Sequence, residues 1–83
     1  MSDPKRDAER YFRAAKLVLD GRDPIKDRGE IMVTLEGTVA AVLIMVMGGD
    51  HRKAAAMLNE GLTPGVEGRI AWGAKNAGRH TNG

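Results

Sequence analysis

The 83-residue chain contains no cysteine. No disulfide framework or thiolate zinc centre can staple it, and a reducing, intracellular setting is expected. Aromatic residues are almost as scarce, with one each of Trp, Tyr and Phe, so any core must be built from aliphatic and methionine side chains. Charge of one sign is lacking too. The formal net charge is only +2, short of the basic footprint of a dedicated nucleic-acid binder. No apolar h-region follows the charged start Met1-Ser2-Asp3-Pro4-Lys5-Arg6-Asp7, which predicts a chain that is not exported. There is no His-Glu-x-x-His run and no phosphate loop ending in Lys-Ser or Lys-Thr; His51 and His80 lack metal-ligand spacing. These absences point away from an enzyme and predict neither a metal nor a cofactor.

What is present reads as helix. Ser2 or Asp3 can cap a first helix from about Pro4 to Asp20, with Pro4 in the first turn and Ala8, Tyr11, Phe12, Ala15, Val18 and Leu19 recurring at three- and four-residue spacing. Gly21 is its expected stop. Residues 21–30 are polar, with Pro24 and two glycines, and predict a connection with a short helical turn after Asp23-Pro24.

The run from Ile31 to Met47 is the most apolar in the chain, and its last nine residues carry no polar side chain. Val and Ile favour strands locally, but the length, the Met, Leu and Ala content and the helical neighbours favour helix. On that helix Met32, Leu35, Val39, Val42, Leu43 and Val46 form the main seam, while Ile44, Met45 and Met47 make the other side apolar. Such a helix asks to be covered all round. A bilayer needs about twenty apolar residues, and Glu36, Gly37 and two threonines interrupt this run, so a core helix is expected instead of a membrane span.

Gly48-Gly49 stops that helix and Asp50 caps a third, His51 to about Glu60, with Ala54, Met57 and Leu58 on one side and Gly61 as its stop. Thr63-Pro64 repeats a cap-plus-proline signature and predicts a fourth helix through Val66, Ile70, Ala74 and Ala77, followed by a frayed tail at about 78–83. The expectation is one all-α domain over 1–83: a small bundle of three to four helices around the central apolar helix, completed by dimerisation. A chain this short buries a small share of its surface, which also favours a homo-oligomer or a partner.

Several local features have a functional reading beside a plain one. Asp50 and His51 could form an acid–base pair, but a helix stop followed by a cap explains both. The glycines of 61–68 with Arg69 nearby could bind an anion; an ordinary interhelical turn accounts for them as well. Residues 54–72 have a helix-turn-helix outline, with a turn at Gly61-Leu62-Thr63. The following positions, Gly65, Val66, Glu67 and Gly68, are poor readers of base edges, however, and a plain helical hairpin is expected. Glu36 would sit at an exposed edge or pair with an arginine of the first helix. Trp72 fills a core in the plain reading, whereas exposed beside Leu62 or Val66 it would anchor a partner.

The run Arg52-Lys53-Ala54-Ala55-Ala56-Met57-Leu58-Asn59-Glu60-Gly61-Leu62-Thr63-Pro64-Gly65-Val66-Glu67 resembles a segment of small accessory, non-structural proteins of phages that infect mycobacteria. The resemblance covers the C-terminal half. It implies a product that binds and modulates a host protein, and it brings no functional residues with it. The sequence therefore predicts a non-enzymatic helical protein–protein interaction module in the bacterial cytoplasm, with Leu62, Val66, Arg69, Trp72, Met45 and Met47 as candidate interaction residues. The alternative is a small helix-turn-helix-like DNA-binding or transcription-modulating protein.

Overall fold

A computed structural model describes residues 3–81, with side chains through residue 76. The described residues are all-helical and contain no strand, in agreement with the class expected from hydrophobic periodicity. The helices are α1 (Pro4–Leu19), α2 (Arg28–Val46), α3 (His51–Met57) and α4 (Thr63–Thr81), with a π-helical segment Leu58–Leu62 between the last two. The chain divides into two compact units, Met1–Ala41 and Val42–Gly83. The first holds α1 and the first part of α2, and the second holds the end of α2 and everything after it.

In the first unit, Asp3 starts α1: its carboxylate accepts from the backbone N–H groups of Lys5 at 3.1 Å and Arg6 at 3.4 Å, satisfying donors that a helix start leaves open. Asp20 ends the helix in the left-handed region at φ 50° and donates its N–H to the Lys16 carbonyl at 2.9 Å. Gly21 follows at φ 71°, where the lack of a Cβ removes the penalty. The connection is a carboxylate-braced turn. Asp23 Oδ1 accepts from the N–H groups of Ile25 and Lys26 at 2.8 and 3.0 Å, and Asp27 Oδ2 accepts from the Asp23 N–H at 2.9 Å. This is the short turn expected after Asp23-Pro24. The Lys26 N–H, then that of Ile25, holds the Asp23 carboxyl below the usual carboxylate range.

The apolar helix begins at Arg28, three residues ahead of the expected Ile31. Hydropathy marks where the apolar residues start, whereas the hydrogen-bonding ladder starts where the Asp27 carbonyl accepts from the Ile31 N–H at 3.0 Å. Two threonines inside α2 turn their hydroxyls back on the helix, Thr34 donating to the Glu30 carbonyl at 3.1 Å and Thr38 to the Thr34 carbonyl at 2.8 Å.

In the second unit, α2 closes at the double glycine. The Gly49 N–H reaches the Ile44 carbonyl at 2.8 Å and the Gly48 N–H the Met45 carbonyl at 3.1 Å, with Gly48 at φ 65° and Gly49 at φ 86°. The pattern is a Schellman cap, which takes up carbonyls the helix end would otherwise leave open. Asp50 then starts α3, its carboxylate accepting from the Lys53 N–H at 3.0 Å.

The expected stop at Gly61 and turn at 61–63 are not present. The chain stays helical from His51 to Thr81, passing from α3 through the π segment into α4. Proline explains the change of register. Pro64 has no N–H to give the Glu60 carbonyl, and its ring would strike that carbonyl in an α-helix. In the wider π turn the Thr63 N–H bonds back to the Leu58 carbonyl instead. Thr63-Pro64 thus sits at a register shift between joined helices, where the sequence pattern read as a fresh start. The backbone stays helical to Thr81, past residue 78 where the tail was expected to fray; the side chains from residue 77 on, that of His80 among them, and residues 82–83 lie outside the described set.

Burial is sparse. Among the described residues only Leu43 and Ala54 are buried, both in the second unit. In the first unit Val18, Leu19, Ile31, Thr34 and Val39 are half-buried and none is fully covered.

Candidate functional site

The largest concentration of exposed apolar side chains lies on α2. Val33 is 68 % exposed and Met45 77 %, and Met32, Leu35, Val42 and Val46 are exposed as well. Of the seam expected from the sequence only Leu43 is buried, and Val39 is half-buried. The covered side differs along the helix: Ile31, Thr34 and Val39 in the first unit, Leu43 and Ile44 in the second. One row escapes cover from end to end. Gly29, Val33, Gly37, Ala41 and Met45 recur at four-residue spacing, are all exposed, and form a single ridge of the helix surface.

Glycine within a helix costs about 1 kcal/mol relative to alanine. A Cβ built on Gly29 or Gly37 meets nothing within 4 Å, so no close approach inside the chain requires glycine at either position. Gly37 lies at the middle of the nineteen-residue helix. α4 also has glycines with open space around them, Gly65, Gly68 and Gly73. There the row through Gly65 and Gly73 holds Arg69 and the row through Gly68 ends at Asn76. The α2 row has no polar side chain from Gly29 to Met45.

Glu36 lies outside that row and is exposed; among the described residues it makes no ion pair, so the pairing with an arginine of the first helix is not formed. The arginine that does reach α2 comes from the connection. Arg22 donates from Nη2 to the Val18 carbonyl and to Thr34 Oγ1 at 2.9 Å, and from Nε to the Leu19 carbonyl at 3.0 Å. It closes the C-terminal end of α1 and ties it to α2 with one planar fork. This contact was missed in the sequence, where Arg22 reads only as part of a polar linker.

From the end of the π segment into α4 the candidate residues divide. Leu62, Val66 and Arg69 fall on one side of the helical cylinder, Leu62 half-buried and Val66 exposed. Trp72 stands about 80° round from Leu62 at 3.6 residues per turn and is 68 % exposed, so it fills no core. Its carbonyl accepts from Asn76 Nδ2 at 2.8 Å. Met45 and Met47 are at the other end of this unit's sequence, Met47 half-buried beside the double glycine.

The remaining local candidates resolve into structure. The Asp50 carboxylate caps α3 through Lys53, so the Asp50-His51 pair does helix-start work. Gly61–Gly68 is helical throughout, which removes the anion-binding helix start, and the helix-turn-helix outline of 54–72 has no turn. No cluster of three or more His, Cys, Asp or Glu residues suited to a metal is found among the described residues. No family model matches the chain, nor does any curated protein or solved structure.

Proposed function

We propose that this chain is a non-enzymatic helical module that binds another protein in the cytoplasm of a bacterial host, in the manner of the phage accessory proteins its 52–67 run resembles. The observation that carries the reading is the exposure of large apolar side chains on α2 and α4, Met45 and Trp72 foremost. Exposed apolar patches of this kind mark interaction surfaces, and tryptophan is the commonest anchor within them.

Lipid is the competing cover for α2, since the helix is long and apolar enough to cross a bilayer. The balance is close to zero. Its eight Val, Leu and Ile residues (31, 33, 35, 39, 42, 43, 44 and 46) favour insertion by about 2–5 kcal/mol in total, and an acidic group at the helix centre opposes it by about 2.5–3.5 kcal/mol. Glu36 supplies that opposition one residue from the middle. A protein partner leaves Glu36 in water and keeps the apolar gain.

Affinity capture from a host lysate with the full chain as bait, followed by mass spectrometry, tests the proposal. Trp72→Ala should lose the captured protein, because deleting an aromatic anchor costs at least about 2 kcal/mol, or roughly thirtyfold in affinity. Enrichment of no protein above background would sink it. The helix-turn-helix outline of the nucleic-acid alternative is absent, so no observation favours that second reading.

A further inference from the structure

We infer that Pro64 is the positioning residue of the Trp72 anchor: by forcing the π turn at Leu58–Leu62 it swings Trp72 off the covered side of α3 and into solvent. The inference rests on the reading of Trp72 as an anchor for a partner and adds the residue that decides where the anchor stands.

Helix arithmetic carries it. The chain is helical without a break from His51 to Thr81, so the place of each residue round the axis follows from about 100° per residue. Ala54 is buried and marks the covered side of α3. Trp72 comes eighteen residues later, which at 3.6 residues per turn is a whole number of turns. An unbroken α-helix would therefore put Trp72 directly in line with Ala54. The π turn takes in one residue more than an α turn, and everything beyond it is set back by about 100°. Trp72 then stands in line with Lys53, about 100° round from Ala54, and is 68 % exposed.

The same setback moves the aliphatic residues the other way. Val66 and Ile70 would stand about 120° and 160° from Ala54 in unbroken α-helix, and beyond the turn they stand about 20° and 60° from it. Leu58, Leu62, Val66 and Ile70 thus keep to the Ala54 side, Leu62 half-buried among them, while the indole is turned away. Two residues fit the turn. Pro64 gives the Glu60 carbonyl no N–H and its ring bars the α register, leaving the Thr63 N–H on the Leu58 carbonyl. Gly61 leaves room for the Met57 side chain, whose Sδ would stand 2.7 Å from a Cβ at that position. From Thr63 to Lys75 every residue of α4 is exposed, so the turn, and not packing along α4, sets its rotation.

Spin labels on the full chain test the inference, since no native cysteine interferes. Labels at Lys53→Cys and Trp72→Cys lie in line beyond the π turn, about 27 Å apart. In α register they would stand about 100° apart round the axis and, carried roughly 8 Å from it, about 31 Å from each other. Double electron–electron resonance should therefore show Pro64→Ala lengthening the separation by about 4 Å. Deleting Asn59 from the Pro64→Ala chain removes the extra residue and should restore the shorter separation. With Trp72 in place and no labels, Pro64→Ala should lose the captured host protein as Trp72→Ala does, roughly thirtyfold in affinity, and the Asn59 deletion should recover it. A role for Pro64 in stability alone would give no such recovery. A Pro64→Ala separation equal to the parent's overturns the inference. So does a lengthened separation with capture undiminished, or capture that stays lost once the separation is restored. A parent chain that captures nothing sinks the binding-module reading instead, and the label distances alone then decide whether Pro64 sets where Trp72 stands.

Discussion

Replacing Arg22 by alanine should destabilise the first unit more than any other single surface substitution, because one side chain supplies three of its hydrogen bonds. Its guanidinium donates to the carbonyls of Val18 and Leu19, which close the last turn of α1, and to Thr34 Oγ1 across the connection. Each hydrogen bond is worth about 0.5–1.5 kcal/mol net. The two carbonyls stand at a helix end where water can replace the donor, so the lower part of that range applies to them. The Thr34 bond bridges residues twelve apart and holds two elements together. A cation at a helix C-terminus adds roughly 0.3–1 kcal/mol. Together these give about 2–3 kcal/mol, large for a unit in which α1 buries no residue. For a domain of this length a loss of 1 kcal/mol lowers Tm by about 4–8 °C, so Arg22→Ala should drop the melting temperature by roughly 10 °C or more by circular dichroism. Arg22→Lys keeps the charge but not the planar fork, and should recover only about a third of the loss. Thr34→Val removes the shared acceptor and should cost about 1 kcal/mol. The decisive measurement is the double-mutant cycle: if the Arg22→Ala and Thr34→Val losses add without coupling, or if Arg22→Ala melts within 1–2 °C of the parent, the fork holds nothing together and the reasoning is refuted.

The two kinds of glycine in α2 and its cap should respond oppositely to alanine: Gly48→Ala and Gly49→Ala, at positive φ, should each cost about 1–2 kcal/mol, whereas Gly37→Ala should stabilise the monomer by about 0.5–1 kcal/mol, both read from urea unfolding. Asp23 gives an acid limb. Its folded-state pKa is depressed by the N–H groups of Lys26 and Ile25, so its contribution is present above the unfolded carboxylate pKa and lost as pH falls through the folded one. An NMR titration should therefore find Asp23 ionising below the usual carboxylate range, and Asp23→Asn should flatten that limb; an Asp23 that titrates at the ordinary carboxylate value would contradict the braced turn. Non-specific duplex DNA should show no gel shift with this chain at low salt, and a shift that weakens steeply with added salt would restore the nucleic-acid alternative. Pro64→Ala should return residues 58–62 to α register, seen as a new protected amide at residue 64; persistence of the π turn would mean that something other than proline sets it.

Caps and stops were legible in the sequence because each is settled within four or five residues. Asp3, Asp50 and Gly48-Gly49 do the work that their residue types and positions foretold, and the turn after Asp23-Pro24 follows from aspartate's reach to the next N–H groups. The Arg22–Thr34 bridge was not legible, since nothing in a polar linker says which arginine will meet which hydroxyl twelve residues on. The turn at 61–63 was misread for a different reason. Thr-Pro at a helix start and Thr-Pro after a π turn are the same two residues, and they differ only in whether the preceding carbonyl can move out of the ring's way. For the candidate site, the sequence identified the apolar helix and marked Trp72 and Met45 as surfaces for a partner. It arranged the α2 seam around 32, 35, 39, 42, 43 and 46, whereas the row exposed along the whole helix passes through Gly37 and Ala41, which a reading weighted by hydrophobicity passes over.

That difference bears on what an apolar helix of this composition is for. Large side chains such as Leu35, Leu43 and Val46 supply burial without direction, and they would suit a core, a lipid phase or a partner almost equally. The small residues share that indifference: a row such as Gly29 and Gly37, with open space where a Cβ would go, admits another backbone in water or within a bilayer alike. A Glu36 near the helix centre disfavours lipid by nearly as much as the eight Val, Leu and Ile residues favour it, yet costs little at the edge of a protein interface, where it stays hydrated. The carboxylate is therefore what tips the balance toward the proposed protein cover, one that leaves the Glu36 side open to water.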